Sequence, residues 1–277
     1  MNVALQALLL ADLQQFAVPR HARWDPLGLM AVRQALRERL AALGDLEEHR
    51  FCPSGEEGVN LILRLPGREA HLPPLLVGAH YDGPLHSPGA DDNASGVAAL
   101  LELARRWAAD PPRRPVWLVA FDQEEWGMVG SAALAQELRQ AQQPLKLMVS
   151  LEMLAFTSEQ QSYPVPGMER VYGYRGDFIA LVANDGAGLL LPGLARAMGR
   201  HVPTKVLPVP SGGHGIEGVR LSDHSPFWDA GYDAMMVTDT SFMRNPNYHK
   251  PSDTIDTLDL PFLMAVIDGL DEAISGC

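Results

Sequence analysis

Short runs of apolar residues alternate with amphipathic stretches along most of the chain. Three of these runs, at 75–79, 116–121 and 145–151, are mainly apolar. Runs of this length without strict alternation are typical of strands that are covered on both faces of a sheet. Between the first two runs, apolar residues recur at helical spacing over 97–107 and predict a helix that begins near Asn93.

Helical and extended patterns continue to alternate outside this central region. Further helices are predicted at 2–16, from Pro26 to Gly44, and at 131–140, 178–183, 189–198 and 260–274. Further strands are predicted at 48–53, 59–65, 201–210 and 234–238. The alternation predicts an α/β fold, a three-layer α/β/α sandwich whose mostly parallel mixed sheet carries helices on both faces. No repeat or linker divides the chain, so we expect residues 1–277 to form a single domain.

Four segments carry more specific expectations. Apolar and polar residues alternate in 59–65, which predicts that one face of this strand is wetter than the other. A hairpin turn is expected at Ser54-Gly55, just before it. Two prolines within 201–210 confine that strand to the edge of the sheet. Residues 156–177 are rich in Gln, Ser, Pro, Gly and Tyr and predict a long surface loop.

Composition and charge narrow the functional classes. Hydrophobic residues make up 47% of the 277 residues and charged residues 20%, which is ordinary for a globular protein. The net charge of −12 argues against a nucleic-acid surface, because such a surface needs a basic patch. Cys52 and Cys277 can form neither a disulfide framework nor a metal knuckle.

The N-terminal apolar run at 4–11 does not have the pattern of a signal peptide. No basic residue precedes it, and Asp12 and Gln14 interrupt it at once. No apolar segment approaches the ~20 residues that a membrane span needs. We therefore expect no membrane partner, and a cytoplasmic location is predicted.

Acidic residues and histidines follow several of the predicted buried strands, at the point where each strand ends. In chain order these residues are His80, Glu124, Glu125, Glu152 and His249. Open α/β sheets bind ligands along the edge that the carboxyl ends of their strands form. Each residue alone is weak evidence, but their common position predicts that the side chains meet at one site.

His80 and Asp82 are two residues apart, so both side chains can point the same way at a strand end. A metal-bound histidine commonly donates its other ring N–H to a carboxylate. We assign His80 as a ligand and Asp82 as the partner of its second nitrogen. Asp92 can cap the following helix, or it can bridge two cations that stand ~3.5–4 Å apart. Asp91 competes for this assignment, and the two residues alone do not decide it.

Glu124 and Glu125 are adjacent and cannot easily share a role. One can coordinate a metal while the other takes a proton from the attacking water. Glu152 lies among apolar neighbours, where a carboxylate is costly unless it is paired or metal-bound, and His249 supplies a second imidazole. Three carboxylates, including that of Asp92, and one hydroxide balance two divalent ions. These donors favour zinc, with manganese and cobalt as alternatives.

Six short segments match the motifs of one known family, in the same order. They are Gly78-Ala79-His80-Tyr81-Asp82, Asp92-Asn93-Ala94-Ser95-Gly96, Phe121-Asp122-Gln123-Glu124-Glu125, Glu152-Met153, Ser222-Asp223-His224-Ser225-Pro226-Phe227 and Tyr248-His249. With these segments the chain resembles the zinc exopeptidases of the aminopeptidase S and bacterial leucyl aminopeptidase type, in clan MH, whose relatives include the glutaminyl cyclases. The resemblance runs from about residue 15 to the end and implies the zinc-exopeptidase fold.

The resemblance also implies a metal ligand set. One ion would be held by His80 and Glu152, the other by Glu125 and His249, and Asp92 would bridge the two. Well-known aminopeptidases of this type have aspartate at the position of Glu152. The longer side chain keeps the ligand but can change the metal spacing or preference.

Three further roles follow from the resemblance. Glu124 would act as the general base, Asp82 would orient the ligand His80, and Tyr248 would help to stabilise the oxyanion. Asp223 and His224 match a helix start that orders the site.

The activity implied is that of a two-zinc aminopeptidase, which hydrolyses N-terminal residues from peptides with a free N-terminus. One alternative is a single-zinc acyltransferase of the glutaminyl cyclase kind, although cyclases tend to have tryptophan where this chain has Tyr248. A second alternative is a binding module that has lost catalysis. Such modules lose ligands or the base, whereas all five ligand candidates and Glu124 are present here.

Overall fold

The centre of the computed structural model, which describes residues 2–53 and 55–277, is an eight-stranded sheet. The strands are Asp45–Phe51 (β1), Gly58–Leu65 (β2), Leu75–His80 (β3), Val116–Phe121 (β4), Leu147–Glu152 (β5), Ile179–Asn184 (β6), Thr204–Val209 (β7) and Ala234–Thr238 (β8). Their order across the sheet is β1-β2-β4-β3-β5-β8-β6-β7. The central pairings β4-β3, β3-β5 and β5-β8 are parallel, as is β6-β7, and the other three are antiparallel. The predicted mixed, mostly parallel sheet is confirmed.

Helices cover both faces of this sheet. They are Val3–Phe16 (α1), Pro26–Ala41 (α2), Gly96–Ala109 (α3), Val129–Gln140 (α4), Glu169–Tyr172 (α5), Leu191–Met198 (α6), His224–Asp229 (α7) and Leu260–Ser275 (α8). Apolar residues of α1, α2, α3, α6 and α8 pack into one core with the sheet, and those of α4 and α7 pack into a second. The three-layer α/β/α architecture is therefore confirmed. No helix of the described residues is long and apolar enough to cross a bilayer.

The continuous apolar runs form the central strands, as predicted. All residues of β3 and β5 are buried, and β4 is buried except for the half-buried Trp117. The proline-containing segment forms β7 at the edge of the sheet, also as predicted. The helix expected near Asn93 begins as α3 at Gly96, because the backbone of Asp92 and Asn93 in the preceding turn is not helical.

The segment 178–183 was expected to be a helix, and this prediction is wrong. It forms β6, which pairs with β8 on one side and with β7 on the other. The run Ile-Ala-Leu-Val-Ala is buried along its length, and periodicity does not distinguish a short buried strand from a short buried helix. Long-range pairing with two neighbouring strands decides its conformation.

The expectation of a wetter face on β2 is also wrong. Every residue of this strand except Arg64 is buried. Asn60, the polar residue in the middle, donates to the Gly130 carbonyl and contacts a ring nitrogen of His49, and its own carbonyl accepts from the Asp122 N–H. Polar contacts from neighbouring elements thus replace water. The strand pairs with β1 as a hairpin, although Ser54 of the expected turn lies outside the described residues.

Candidate metal centre

The structure brings all the predicted ligand residues together at the carboxyl ends of the central strands. His80 and Glu152 are the last residues of β3 and β5, and Glu125 follows β4. Asp92 lies in the turn before α3, and His249 lies in the loop between β8 and α8. Ligand atoms of these residues form groups of three within 4.8 Å of one another.

Asp92 stands between the two imidazoles and turns one oxygen towards each. Its Oδ1 lies 3.4 Å from Nε2 of His80, and its Oδ2 lies 3.1 Å from Nε2 of His249. Oε2 of Glu152 lies 3.6 Å from the His80 nitrogen, and Oε2 of Glu125 lies 3.4 Å from the His249 nitrogen. The arrangement therefore consists of two three-residue clusters that share one aspartate.

These distances fit divalent metals. Two ligand atoms at ~2.0–2.1 Å from a tetrahedral zinc stand roughly 3.3 Å apart, which is close to the spacings observed between the side chains. Nε2 of His80 and Oε1 of Glu125 are buried without a hydrogen-bond partner among the described residues. Buried polar atoms are rarely left unpaired unless a ligand satisfies them. The donor atoms and their spacing thus suit two cations.

The electrostatics of the cluster also call for added positive charge. Burial, together with neighbouring carboxylates, raises the pKa of Glu124 and of Glu125 well above the usual value. Burial lowers the pKa of His80, but the nearby carboxylates of Glu124 and Glu152 outweigh burial and raise it well above its usual value. Acidic groups at this density repel each other, and two divalent cations would remove the repulsion.

Asp82 links the histidine to the two glutamates that follow β4. Its Oδ1 lies 3.4 Å from Nδ1 of His80, the ring nitrogen that faces away from the cluster. The same carboxylate accepts hydrogen bonds of 3.1 Å from the backbone N–H groups of Glu124 and Glu125. One buried carboxylate therefore fixes the positions of three neighbouring residues of the site.

Asp92, and not Asp91, faces the imidazoles. The carboxylate of Asp91 is fully buried and accepts hydrogen bonds from the Ala155 N–H and from the amide of Asn245. It holds two loops together on the far side of the turn. The Asp91 carboxylate is thus engaged by backbone and amide donors, whereas that of Asp92 lies beside the imidazoles.

Tyr248 and the Ser222–His224 segment border the cluster. The ring of Tyr248 stacks on that of His249, with centroids 3.8 Å apart. Ser222 donates a 2.7 Å hydrogen bond to Oε2 of Glu152. Asp223 and His224 are fully buried at the start of α7 and do not belong to the metal-binding groups of the described residues.

Arg20 is a residue of the site that sequence reasoning missed. Its guanidinium is fully buried and donates to five backbone carbonyls, those of Val18, Tyr81, Pro88, Gly89 and Asp92. These bonds join the end of β3 to the turn that carries the bridging aspartate. A single arginine beside a proline gives no signal in the sequence, because its partners are backbone atoms far along the chain.

An apolar cleft opens beside the cluster on the face of the sheet that α4 and α7 cover. Glu152 and Tyr248 border it at the metal end, and its volume is about 80 Å³. Its other walls come from β6, β7 and β8, from the 156–177 loop and from residues 240–243. We call this space the side-chain cleft.

Comparison with known proteins places this arrangement in one family. A model of peptidase family M28 matches residues 60–273, which include all the candidate ligands. The chain belongs to peptidase family M28. This M28 chain is 38% identical over 214 residues to the uncharacterized protein YfbL of Escherichia coli (strain K12), a match that covers 72% of the chain and 65% of YfbL.

One further relative and one solved structure carry names that describe an activity. The M28 chain is 27% identical over 201 residues to aminopeptidase YwaD of Bacillus subtilis (strain 168), which covers 70% of the chain and 39% of YwaD. The crystal structure of Fimbriiglobus ruber glutaminyl cyclase matches with a TM-score of 0.72 at 21% identity, over 98% of this chain and 94% of that one. The chain therefore spans less than two thirds of the length of both YfbL and YwaD, and the similarity to the cyclase shows the shared fold.

Proposed function

We propose that the chain is a two-zinc aminopeptidase and that residues 1–277 act as one catalytic domain. The observation that carries this proposal is the pair of ligand clusters that share Asp92. Paired metals bridged in this way are typical of hydrolases that include aminopeptidases. The sequence similarity to aminopeptidase YwaD supports the same assignment.

In this proposal each ion has its own pair of protein ligands. His80 and Glu152 would hold one ion, Glu125 and His249 would hold the other, and Asp92 would be shared between them. Ions bound in such a site polarise a carbonyl group and lower the pKa of a bound water. Zinc suits these nitrogen and oxygen donors best, with manganese and cobalt as alternatives.

Glu124 is the residue that we assign as general base. Its Oε2 lies 3.9 Å from Nε2 of His80, at the margin of the ligand cluster, and Asp82 holds its backbone N–H. From there its carboxylate can take the proton of the attacking water and return it to the leaving amine. Asp82 contacts both His80 and Glu124 and so holds them in fixed positions for this proton transfer.

The side-chain cleft supports cleavage at the N-terminus of a peptide. The cleft begins at Glu152 and Tyr248 and is enclosed by apolar walls, so it can accept the side chain of the N-terminal residue. The carboxylates of the cluster then surround the free α-amino group. Tyr248, at the cleft mouth, is placed to donate to the oxyanion that forms as the peptide bond is attacked.

Replacing the base separates metal binding from turnover. The variant E124Q should bind two zinc ions per chain and lose at least about 10²-fold in kcat on aminoacyl p-nitroanilides, because the amide cannot accept the proton. The matched variant E125Q should lose zinc as well as activity. Mass-spectrometric metal analysis and initial rates on both variants make the comparison, and wild-type turnover by E124Q would exclude Glu124 from this role.

The fold shared with glutaminyl cyclase supports a second candidate, a single-zinc acyltransferase. Metal analysis of the wild-type protein and mass spectrometry of the products from N-terminal Gln peptides distinguish the two. An aminopeptidase binds two ions and releases the first residue, whereas a cyclase binds one and forms pyroglutamate. Free peptides that remain uncleaved and uncyclised at full metal loading would instead favour a binding module.

A further inference from the structure

The side-chain cleft runs across four strands of the sheet, from the metal cluster to a lysine. Glu152 on β5 is directly opposite Thr238 on β8, which is opposite Ala180 on β6, which is opposite Lys205 on β7. Directly opposed residues point to the same face of a sheet. Three strand spacings of ~4.8 Å place the Lys205 backbone roughly 14 Å from that of Glu152.

Between these two ends the floor of the cleft is apolar. Two residues further along the strands, Met236, Val182 and Leu207 form a parallel row on the same face and also line the space. The walls include the rings and thioethers of Tyr163, Met168, Tyr172, Phe242 and Met243. A ligand that enters from the metal end therefore meets hydrocarbon first and an ammonium group last.

Lys205 lines the far end of the cleft, and a second cation, Arg244, contacts the same phenylalanine ring as Lys205 without lining the cleft. The Nζ of Lys205 lies 4.2 Å from the centroid of the Phe178 ring, and the guanidinium of Arg244 lies 4.5 Å from the same centroid. Among the described residues, neither cation lies within ion-pair distance of a carboxylate. The carboxylate of Asp177, which is close in sequence, pairs with Arg175 instead.

Burial makes the charged forms of Lys205 and Arg244 less favourable. Burial lowers the pKa of Lys205; the carboxylate of Asp177 opposes this effect and Arg244 adds to it. Burial also lowers the pKa of Arg244, although the carboxylates of Asp239, Asp91 and Asp177 partly oppose it. Nη2 of Arg244 is buried without a hydrogen-bond partner in the described part of the chain. An ammonium that lines the cleft without an ion-pair partner can attract an anion at short range, against the overall net charge of −12.

We propose that the Lys205 end of the side-chain cleft binds a substrate carboxylate, the side-chain carboxylate of an N-terminal glutamate. The methylene groups of glutamate lie on the apolar floor, and its carboxylate reaches the ammonium at the far end. Lys205 is thus a specificity-determining residue that selects acidic over apolar side chains of similar length. This inference rests on the proposed aminopeptidase function, because that function places the first residue in the cleft.

Removing the ammonium tests the assignment directly. The substrates are the p-nitroanilides of glutamate, methionine and leucine, which contain no carboxylate except the glutamate side chain. The wild-type enzyme should turn over the glutamate substrate at least as efficiently as the methionine one. The variant K205M keeps the length and the apolar stem and should lower the glutamate-to-methionine ratio of kcat/KM about tenfold, mainly through KM.

A matched control and a charge reversal sharpen the test. Lys146 is also half-buried, but it lies just before β5, at the end of that strand away from Glu152, so K146M should leave the ratio unchanged. K205E should depress the glutamate substrate further and raise turnover of the lysine p-nitroanilide. An unchanged ratio in both Lys205 variants, or a wild-type enzyme that rejects glutamate, would overturn the inference while leaving aminopeptidase action intact.

Product binding gives an answer that does not depend on turnover. Calorimetry on the zinc-loaded protein should show tighter binding of L-glutamate than of L-methionine, and K205M should abolish the difference. If no anilide is hydrolysed, the proposed aminopeptidase function fails, and the binding comparison still decides whether the cleft recognises a carboxylate. Equal binding of the two amino acids to the wild-type protein would refute the recognition.

Discussion

At the scale of single residues, the carboxylate of Asp82 contacts three other residues of the site. It pairs with the ring nitrogen of His80 and accepts from the N–H groups of Glu124 and Glu125. An asparagine keeps its shape but has only one acceptor oxygen. D82N should therefore weaken zinc binding about 10- to 100-fold, as expected for a partner that orients a ligand.

Zinc competition titration measures this loss. The control D110N removes a carboxylate that is 89% exposed at the end of α3, and it should bind zinc like the wild-type protein. If D82N also binds zinc like the wild type, Asp82 does not orient the ligand, and its role is confined to the loop after β4.

Three of the five candidate ligands could be placed from the sequence because each ends or follows an apolar run that is a strand, whereas Asp92 and His249 were assigned through the resemblance. His80, Glu125 and Glu152 need only the strand ends to be placed, and those are visible in the sequence. The two residues alone did not decide between Asp91 and Asp92, so the resemblance made the choice; the contacts that distinguish them reach loops over 60 residues away. Four of the five carbonyls that Arg20 contacts are equally distant, so no local pattern indicates them.

At the scale of elements, Arg20 attaches the segment between α1 and α2 to the metal cluster. That segment lies outside the region that matches the family model. In R20M the carbonyls of Tyr81, Gly89 and Asp92 lose a buried donor, and leaving such groups unpaired costs ~1–3 kcal/mol each. We expect the variant to lose about 3 kcal/mol of unfolding free energy and to bind zinc more weakly.

Urea unfolding and zinc titration of R20M measure the two effects separately. The variant R20K restores a charged donor and should recover part of the zinc affinity, because an ammonium can still reach some of the carbonyls. A nearby control is R23M, in which an exposed arginine is removed from the same segment. Loss of stability in R20M with unchanged zinc affinity would show that Arg20 supports the fold and not the site.

Which elements form could be predicted better than how they pair. The short, continuously apolar runs allowed β3, β4 and β5 to be predicted as strands. The segment that forms β6 has a composition that suits a short buried helix equally well. The polar Asn60 suggested a wet face on β2, because its partners on β1 and α4 were not visible from the strand alone. Both errors arise where long-range contacts override a local pattern.

At the scale of the whole molecule, the order of the strands in the sheet could not be predicted from the sequence. β8 is the last strand along the chain, yet it lies between β5 and β6. Hydrophobic pattern alone could predict a sheet with helices on both faces, because that requires only amphipathic helices and doubly buried strands. The position of β8 matters for function, since it forms the floor of the side-chain cleft next to the metal cluster.

The stability of the molecule should depend on pH through His224, which is fully buried in α7. Its Nε2 lies 2.8 Å from the Val219 carbonyl, and its ring packs edge-on against Trp228. Burial lowers the pKa of His224 to about 4, from 6.5 in an unfolded chain. The unfolded state therefore binds the proton first as the pH falls, and folding loses stability between pH ~6.5 and ~4.

The loss over this window amounts to about 3 kcal/mol, since one pKa unit corresponds to about 1.4 kcal/mol. H224Q keeps a donor for the Val219 carbonyl but cannot be protonated, so its stability should fall less steeply than that of the wild-type protein from pH 7.5 to 4.5. Urea unfolding of chelator-treated protein measures the difference without a contribution from metal release. H214Q, which alters an exposed histidine, should follow the wild-type curve, and a parallel curve for H224Q would mean that His224 does not stay neutral in the folded state.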